Sequence, residues 1–122
     1  TVSCQSPHEP SVRPHLLHTD APVIGRRARA VAAYFRALGE PKRLEILQWL
    51  DKRSYNVGDL ALRCGCSAAN ISRHLALLMR YGLVQREMRG HCAYYQLADP
   101  ALDTLCEYVY QHLAHSGPVA QQ

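Results

Sequence analysis

Apolar residues recur at intervals of three and four along much of the chain, a period that is typical of amphipathic helices. The period predicts a first helix over residues 23–38 and a second over residues 41–50. Two further helices, ending near residues 64 and 81, are expected because Asn56 and Ser67 can each cap a helix start. The residues expected on the inner faces of the second and fourth helices are Leu44, Ile46, Leu47, Leu50, Ile71, Leu75, Leu78 and Met79.

After residue 82 the pattern changes to two strand-like segments, residues 83–88 and 92–97, with a turn at Gly90 between them. Together they predict a β-hairpin. Asp99 and Pro100 then favour the start of a last helix, which carries an apolar stripe as far as about residue 115. The predicted fold class is mainly α (α+β), with the element order α-α-α-α-β-β-α.

The two ends of the chain lack such patterns. Residues 1–22 contain four prolines and three histidines without lasting periodicity, and they are expected to form a mobile N-terminal arm. One domain is predicted over residues 23–115, followed by a disordered tail over residues 116–122.

Composition narrows the functional classes. The chain has 122 residues, 48% of them hydrophobic, which suits one packed core, and its net charge of +4 suits a polyanionic partner. No apolar run is long enough for a membrane span, no signal peptide is visible, and the five cysteines are odd in number. These features favour free thiols in the cytoplasm. The sequence contains no glycine-rich phosphate loop, no nucleophile elbow and no paired carboxylates, so we do not expect an enzyme.

The third and fourth predicted helices form a helix-turn-helix, and small or hydrogen-bonding side chains open its second helix. Such side chains suit the major groove of DNA. The pair alone fits an ordinary solvated helical hairpin equally well, but the basic β-hairpin that follows favours a winged helix-turn-helix whose arginines grip phosphate. The candidate DNA-binding residues are Ser67, Ala69, Asn70, Ser72, Arg73, His74, Arg86 and Arg89.

Three segments, residues 38–47, 67–84 and 89–97, together resemble the ArsR/SmtB family of winged helix-turn-helix transcriptional repressors. The resemblance implies a homodimer formed by the first and last helices, a palindromic double-stranded operator, and release of the DNA by an inducer. A constitutive DNA-binding regulator without a ligand is the alternative. A further alternative is an interaction module that has lost DNA binding.

Family sensor sites match this chain only in part. The family's Cys-x-Cys arsenite site would fall at residues 56–58, which hold no thiol. Its last-helix zinc or nickel site would use Asp99, His112 and His115, but Ala101 replaces one histidine ligand. The arm offers His8, His15 and His18 as extra ligands; surface histidines without a metal are the alternative.

The cysteines offer a thiol-based sensor for arsenite, reactive sulfur or an oxidant. Cys64 and Cys66 bracket the turn of the helix-turn-helix, although Cys66 is expected to be a core residue. Cys92 is expected at the surface of the wing, and Cys106 on the apolar stripe of the last helix. The family's paired redox cysteines need one thiol in the second helix, where this chain has none.

Overall fold

The structure is a computed structural model that describes residues 14–116. Helix α1 spans Pro14–Leu38, so the expected helix start at residue 23 is wrong by nine positions. Pro22, the last residue of the predicted N-terminal arm, lies inside α1. Pro14 instead occupies the first helical position, where no backbone N–H is needed. Residues 14–22 of the predicted N-terminal arm are helical in the structure. Mobility of residues 1–13 and disorder of residues 117–122 concern residues outside the described range and stay predictions.

The chain divides into two compact units after Arg36, and the second unit contains all the elements that follow α1. Helix α2 spans Pro41–Lys52, α3 spans Val57–Cys64 and α4 spans Ala68–Arg80. No helix in residues 14–116 is long and apolar enough to cross a membrane.

Both predicted caps of the helix-turn-helix are confirmed. The Asn56 side-chain oxygen accepts from the Asp59 backbone N–H at 2.8 Å, and the Ser67 hydroxyl accepts from the Asn70 backbone N–H at 3.1 Å. Between the two helices Gly65 has φ 64°, a left-handed conformation that glycine adopts without a Cβ penalty. The caps and this glycine set the angle at which α4 leaves the turn.

The β-hairpin consists of β1, Val84–Arg89, and β2, Cys92–Leu97, in antiparallel register with Arg86 opposite Tyr95. Tyr55, in the turn between α2 and α3, forms a bridge with Tyr95 on β2. The Tyr95 N–H donates to the Tyr55 carbonyl at 2.8 Å and the Tyr55 N–H donates to the Tyr95 carbonyl at 3.1 Å. The hairpin base is thereby attached to the helical part of the unit.

The core of the second unit lies between α2, α3, α4 and the hairpin base. Its most deeply buried large side chains are Ile46, Leu60, Ile71, Leu75, Leu78 and Leu83. The inward prediction for Met79 is wrong, because its side chain is 38% exposed. One position beyond Leu78 turns the side chain by about 100°, off the buried stripe of α4.

The last helix, α5, spans Ala101–His115, and Asp99 assists its start by accepting from the Ala101 backbone N–H at 2.9 Å. Leu102 is its one buried residue. The side chains of Tyr108, Val109, Tyr110 and Leu113 are all exposed. The structure therefore has the predicted order of four helices, a hairpin and a final helix.

Candidate nucleic-acid interface

The first turns of α4 present a polar, non-acidic surface to solvent. Ser67, Ala69, Ser72 and Arg73 are exposed, and α4 contains no aspartate or glutamate. Arg73 donates a hydrogen bond from its guanidinium to the Asn70 side-chain oxygen. This contact holds the arginine alongside the helix start, and the remaining guanidinium N–H groups are available to an acceptor.

His74 differs from the other candidates on α4, because its half-buried ring faces α2. The Arg43 guanidinium lies 3.5 Å from His74 Nδ1, and Arg43 can only donate, so that ring nitrogen accepts. Burial first, and then the charge of Arg43, lower the pKa of His74. Arg43 also donates to the backbone carbonyl of Ala37 at the end of α1. His74 is therefore better placed to locate α4 against α2 than to contact a base.

Arg86 and Arg89 lie on opposite faces of the hairpin, because three positions separate them and the side chains of a strand alternate between its faces. Both are exposed. Arg89 forms an ion pair with Glu87 at 2.9 Å, and its guanidinium carbon lies 4.5 Å from the centre of the Tyr94 ring. The hairpin thus has a guanidinium on each face.

An arginine–aromatic cluster joins α2, α3 and the turn between them, and no pattern in the sequence predicts it. The guanidinium carbons of Arg53 and Arg63 lie 4.7 Å and 4.9 Å from the centre of the Tyr55 ring. Arg63 also lies 5.0 Å from the Trp49 ring, which meets Tyr55 edge-on. Such contacts depend on tertiary placement and leave no regular spacing in the sequence.

The predicted metal ligands do not gather within one chain. Asp99 caps the start of α5, whereas His112 lies thirteen positions further on, which is about 20 Å along a helix axis. His115 Nδ1 hydrogen-bonds the Gln111 carbonyl at 2.8 Å. Within residues 14–116 no group of three histidine, cysteine or acidic side chains is placed to hold a metal. The side chains of His8, His15 and His18 lie outside the described residues.

The thiols differ in environment. Cys64 is 5% exposed, and burial, followed by Glu45 and Cys66, raises its pKa to about 11. Lys42 Nζ donates to the Cys64 carbonyl at 2.7 Å and to Glu45 at 3.0 Å, which ties α2 to the end of α3. A protonated, enclosed thiol is a poor nucleophile and a poor metal ligand.

The remaining described thiols are more accessible. Cys66 is half-buried, so it is not the fully enclosed core residue that was expected. Cys92 is exposed on β2, as the sequence predicted. Cys106 on α5 is half-buried, and burial and Asp103 raise its pKa.

A capped helix-turn-helix followed by a two-stranded hairpin with exposed arginines defines the winged helix-turn-helix class of DNA-binding regulators. Comparison with known proteins narrows the class. The family model "Bacterial regulatory protein, arsR family" matches residues 40–86. A "Transcriptional repressor SmtB homolog" from Synechocystis is 31% identical over 105 residues, which cover 86% of this chain and 75% of that protein. The chain belongs to the ArsR/SmtB family of transcriptional regulators.

Solved structures agree with this assignment. The crystal structure of NolR from Sinorhizobium fredii has a TM-score of 0.70 and 28% identity, covering 75% of this chain and 91% of NolR. A homodimeric winged helix-turn-helix DNA-binding domain from Mycobacterium bovis has a TM-score of 0.68 and 29% identity, covering 75% of this chain and 88% of that domain. Both likenesses support the winged helix fold.

Proposed function

We propose that this chain is a homodimeric transcriptional repressor that reads a palindromic operator with α4 and leaves it when an inducer binds. The observation that carries the proposal is the opening of α4, where exposed small and polar side chains stand without any acidic residue. A helix of this kind can enter the major groove, because nothing on its outer face repels phosphate.

Within this proposal, Ser67, Ala69, Asn70, Ser72 and Arg73 contact the operator from α4, and Arg86 and Arg89 contact phosphate from the hairpin. Arg73 is the base-reading candidate, since a guanidinium can donate two parallel hydrogen bonds to guanine. His74 takes a positioning role, as its contact with Arg43 holds it against α2.

The proposed dimer rests on the apolar side chains that α5 leaves exposed, namely Tyr108, Val109, Tyr110 and Leu113. A second copy would bury them, and the related Mycobacterium bovis domain is homodimeric. An antiparallel partner α5 would also bring its own Asp99 towards His112 and His115, so a zinc or nickel site is a property of the dimer in this proposal.

DNA binding is tested by selecting duplexes from a random-sequence pool. The affinity of the most strongly selected duplex is then measured by fluorescence anisotropy. Replacing Arg73 with alanine is expected to weaken operator binding by about 1–3 kcal/mol, the usual value of one good base contact. Arg80→Ala is the matched control, because it removes the same charge two turns further along α4. A folded wild-type dimer that selects no duplex would exclude the repressor function.

The inducer is tested on the operator complex of the reduced protein. Release by zinc or nickel that a His112→Ala/His115→Ala variant abolishes would support the α5 site. Release by arsenite, a persulfide or peroxide alone would support the thiols. A complex that survives every addition would favour a constitutive regulator or an inducer of another chemical class.

A further inference from the structure

An open groove of about 600 Å³ separates the turn between α2 and α3 from the outer side of the hairpin. No residue of α4 lines it. The lining residues are Arg53, Ser54, Asp59, Arg89 and Tyr94. Four of these five side chains carry hydrogen-bond donors, and two of the four are arginines, so the groove suits an anion better than an apolar ligand.

Each of the two arginines is held over an aromatic ring. Arg53 lies 4.7 Å from the Tyr55 ring centre, on the helical side of the groove, and Arg89 lies 4.5 Å from the Tyr94 ring centre, on the hairpin side. Stacking restrains the plane of a guanidinium and leaves its N–H groups free to donate at the edge. Less side-chain freedom is then lost when an anion binds between them.

Two carboxylates limit the charge that the groove accepts. Asp59 lines it directly, and Glu87 forms an ion pair with Arg89 at 2.9 Å. Two arginines and two carboxylates leave these four side chains without net charge, so the guanidinium N–H groups favour a monoanion over a dianion, which the carboxylates repel more strongly. A phosphodiester carries a single negative charge, whereas free phosphate carries more near neutral pH.

We infer that this groove holds one phosphodiester of the DNA backbone, with Arg53 as a phosphate ligand in addition to Arg89. The inference rests on the proposed function, since bound DNA supplies the phosphodiester. Arg89 belongs both to the wing and to the groove, so the phosphate lies beside the wing and outside the base pairs that α4 reads. Its role is to fix position, and it carries no sequence information.

The test is the salt dependence of operator affinity for wild type and Arg53→Ala. Each phosphate neutralised on B-DNA adds about 0.9 to the slope of log affinity against log salt, so the variant dimer should lose up to about 1.8, since Arg89 still faces each of the two phosphates. Arg63→Ala is the matched control, because Arg63 also stacks on Tyr55 but does not line the groove. Its slope should equal that of wild type.

Neutral methylphosphonate linkages, placed one at a time in the flanks of the operator, locate the phosphate. At one flanking position in each half-site they should weaken wild-type binding more than they weaken Arg53→Ala, because that variant has already lost one of the two arginine contacts to this phosphate. Equal losses in both proteins at every position would overturn the inference. Circular dichroism melting shows that each variant is folded.

Inorganic phosphate at constant ionic strength separates the two sources of the ligand. We expect no competition with the operator. Release of wild type but not of Arg53→Ala by phosphate would overturn the assignment to the backbone. Wild type that binds no duplex would refute the proposed function itself, whereas binding with an unchanged slope in Arg53→Ala would refute this inference alone.

Discussion

Helices α4 and α5 have similar amphipathic patterns in the sequence but different environments in the structure. Helix α4 buries Ile71, Leu75 and Leu78, while α5 buries Leu102 alone. Yet the outer face of α4 is polar, and that of α5 carries tyrosine, valine and leucine side chains. One chain is therefore enough to position α4, but the apolar face of α5 needs another surface to cover it.

A substitution in the core beneath α4 should lower the stability of the protein more than any surface change. Replacing Leu75, which is 1% exposed, with alanine should lower the free energy of unfolding by about 2–5 kcal/mol, since a cavity replaces a fully buried side chain. Leu62→Ala is the control, because Leu62 is 82% exposed and its loss should change little. Urea denaturation followed by circular dichroism measures both, and equal losses would contradict the burial difference.

A charge on the apolar face of α5 should act on assembly instead of folding. Val109→Asp is expected to weaken self-association by about a hundredfold or more, because an unpaired carboxylate would be buried in the proposed dimer interface. Thr104→Asp places the same charge on a polar position of α5 and should leave the dimer intact. Sedimentation equilibrium measures both. Undisturbed association of Val109→Asp would place the dimer interface elsewhere.

The thiols of Cys64, at the end of α3, and Cys92, on the hairpin, should differ in reactivity. At pH 8 a thiol whose pKa is about 11 is ionised to roughly one part in a thousand, about a hundredth of the thiolate that an ordinary thiol provides. Cys64 is also enclosed, whereas Cys92 is exposed, so Cys92 should react with iodoacetamide far sooner than Cys64. Mass spectrometry of digested samples gives both rates. Equal rates would mean that Cys64 is reactive and would support a thiol sensor in the helix-turn-helix.

The smallest expected effect concerns the cap of α4. Ser67→Ala removes the hydroxyl that accepts from the Asn70 N–H, and it should cost about 1 kcal/mol of stability. Ser72→Ala removes an exposed hydroxyl from the same helix without touching a cap. A thermal melt that shows the same change for both variants would deny the cap its stabilising role.

Much of the fold was predictable from the sequence because it follows from local rules. Asn56 and Ser67 cap helices through hydrogen bonds that span three residues, and β2 has its predicted bounds. The start of α1 was missed because a proline within a helix is unfavourable, yet Pro22 lies inside this one. The sequence pattern also could not separate Met79 from Leu78, which differ by one step around the helix.

The candidate site was predictable only in outline. The residues at the opening of α4 follow from its cap, whereas the contact between Arg43 and His74 joins positions 31 apart in the chain. Arg53 and Arg63 meet Tyr55 from two different segments, and no spacing rule brings them together. Side-chain contacts of this kind depend on how whole elements pack.

The pair of hydrogen bonds between Tyr55 and Tyr95 gives the hairpin the mechanics of a lever. Tyr95 is the fulcrum, the helical part holds the short arm, and the turn at Gly90 is the free end of the long arm. A rotation at the end of α2 that kept both bonds would swing the tip through a larger arc. A small displacement inside the protein would then be larger at the tip of the hairpin.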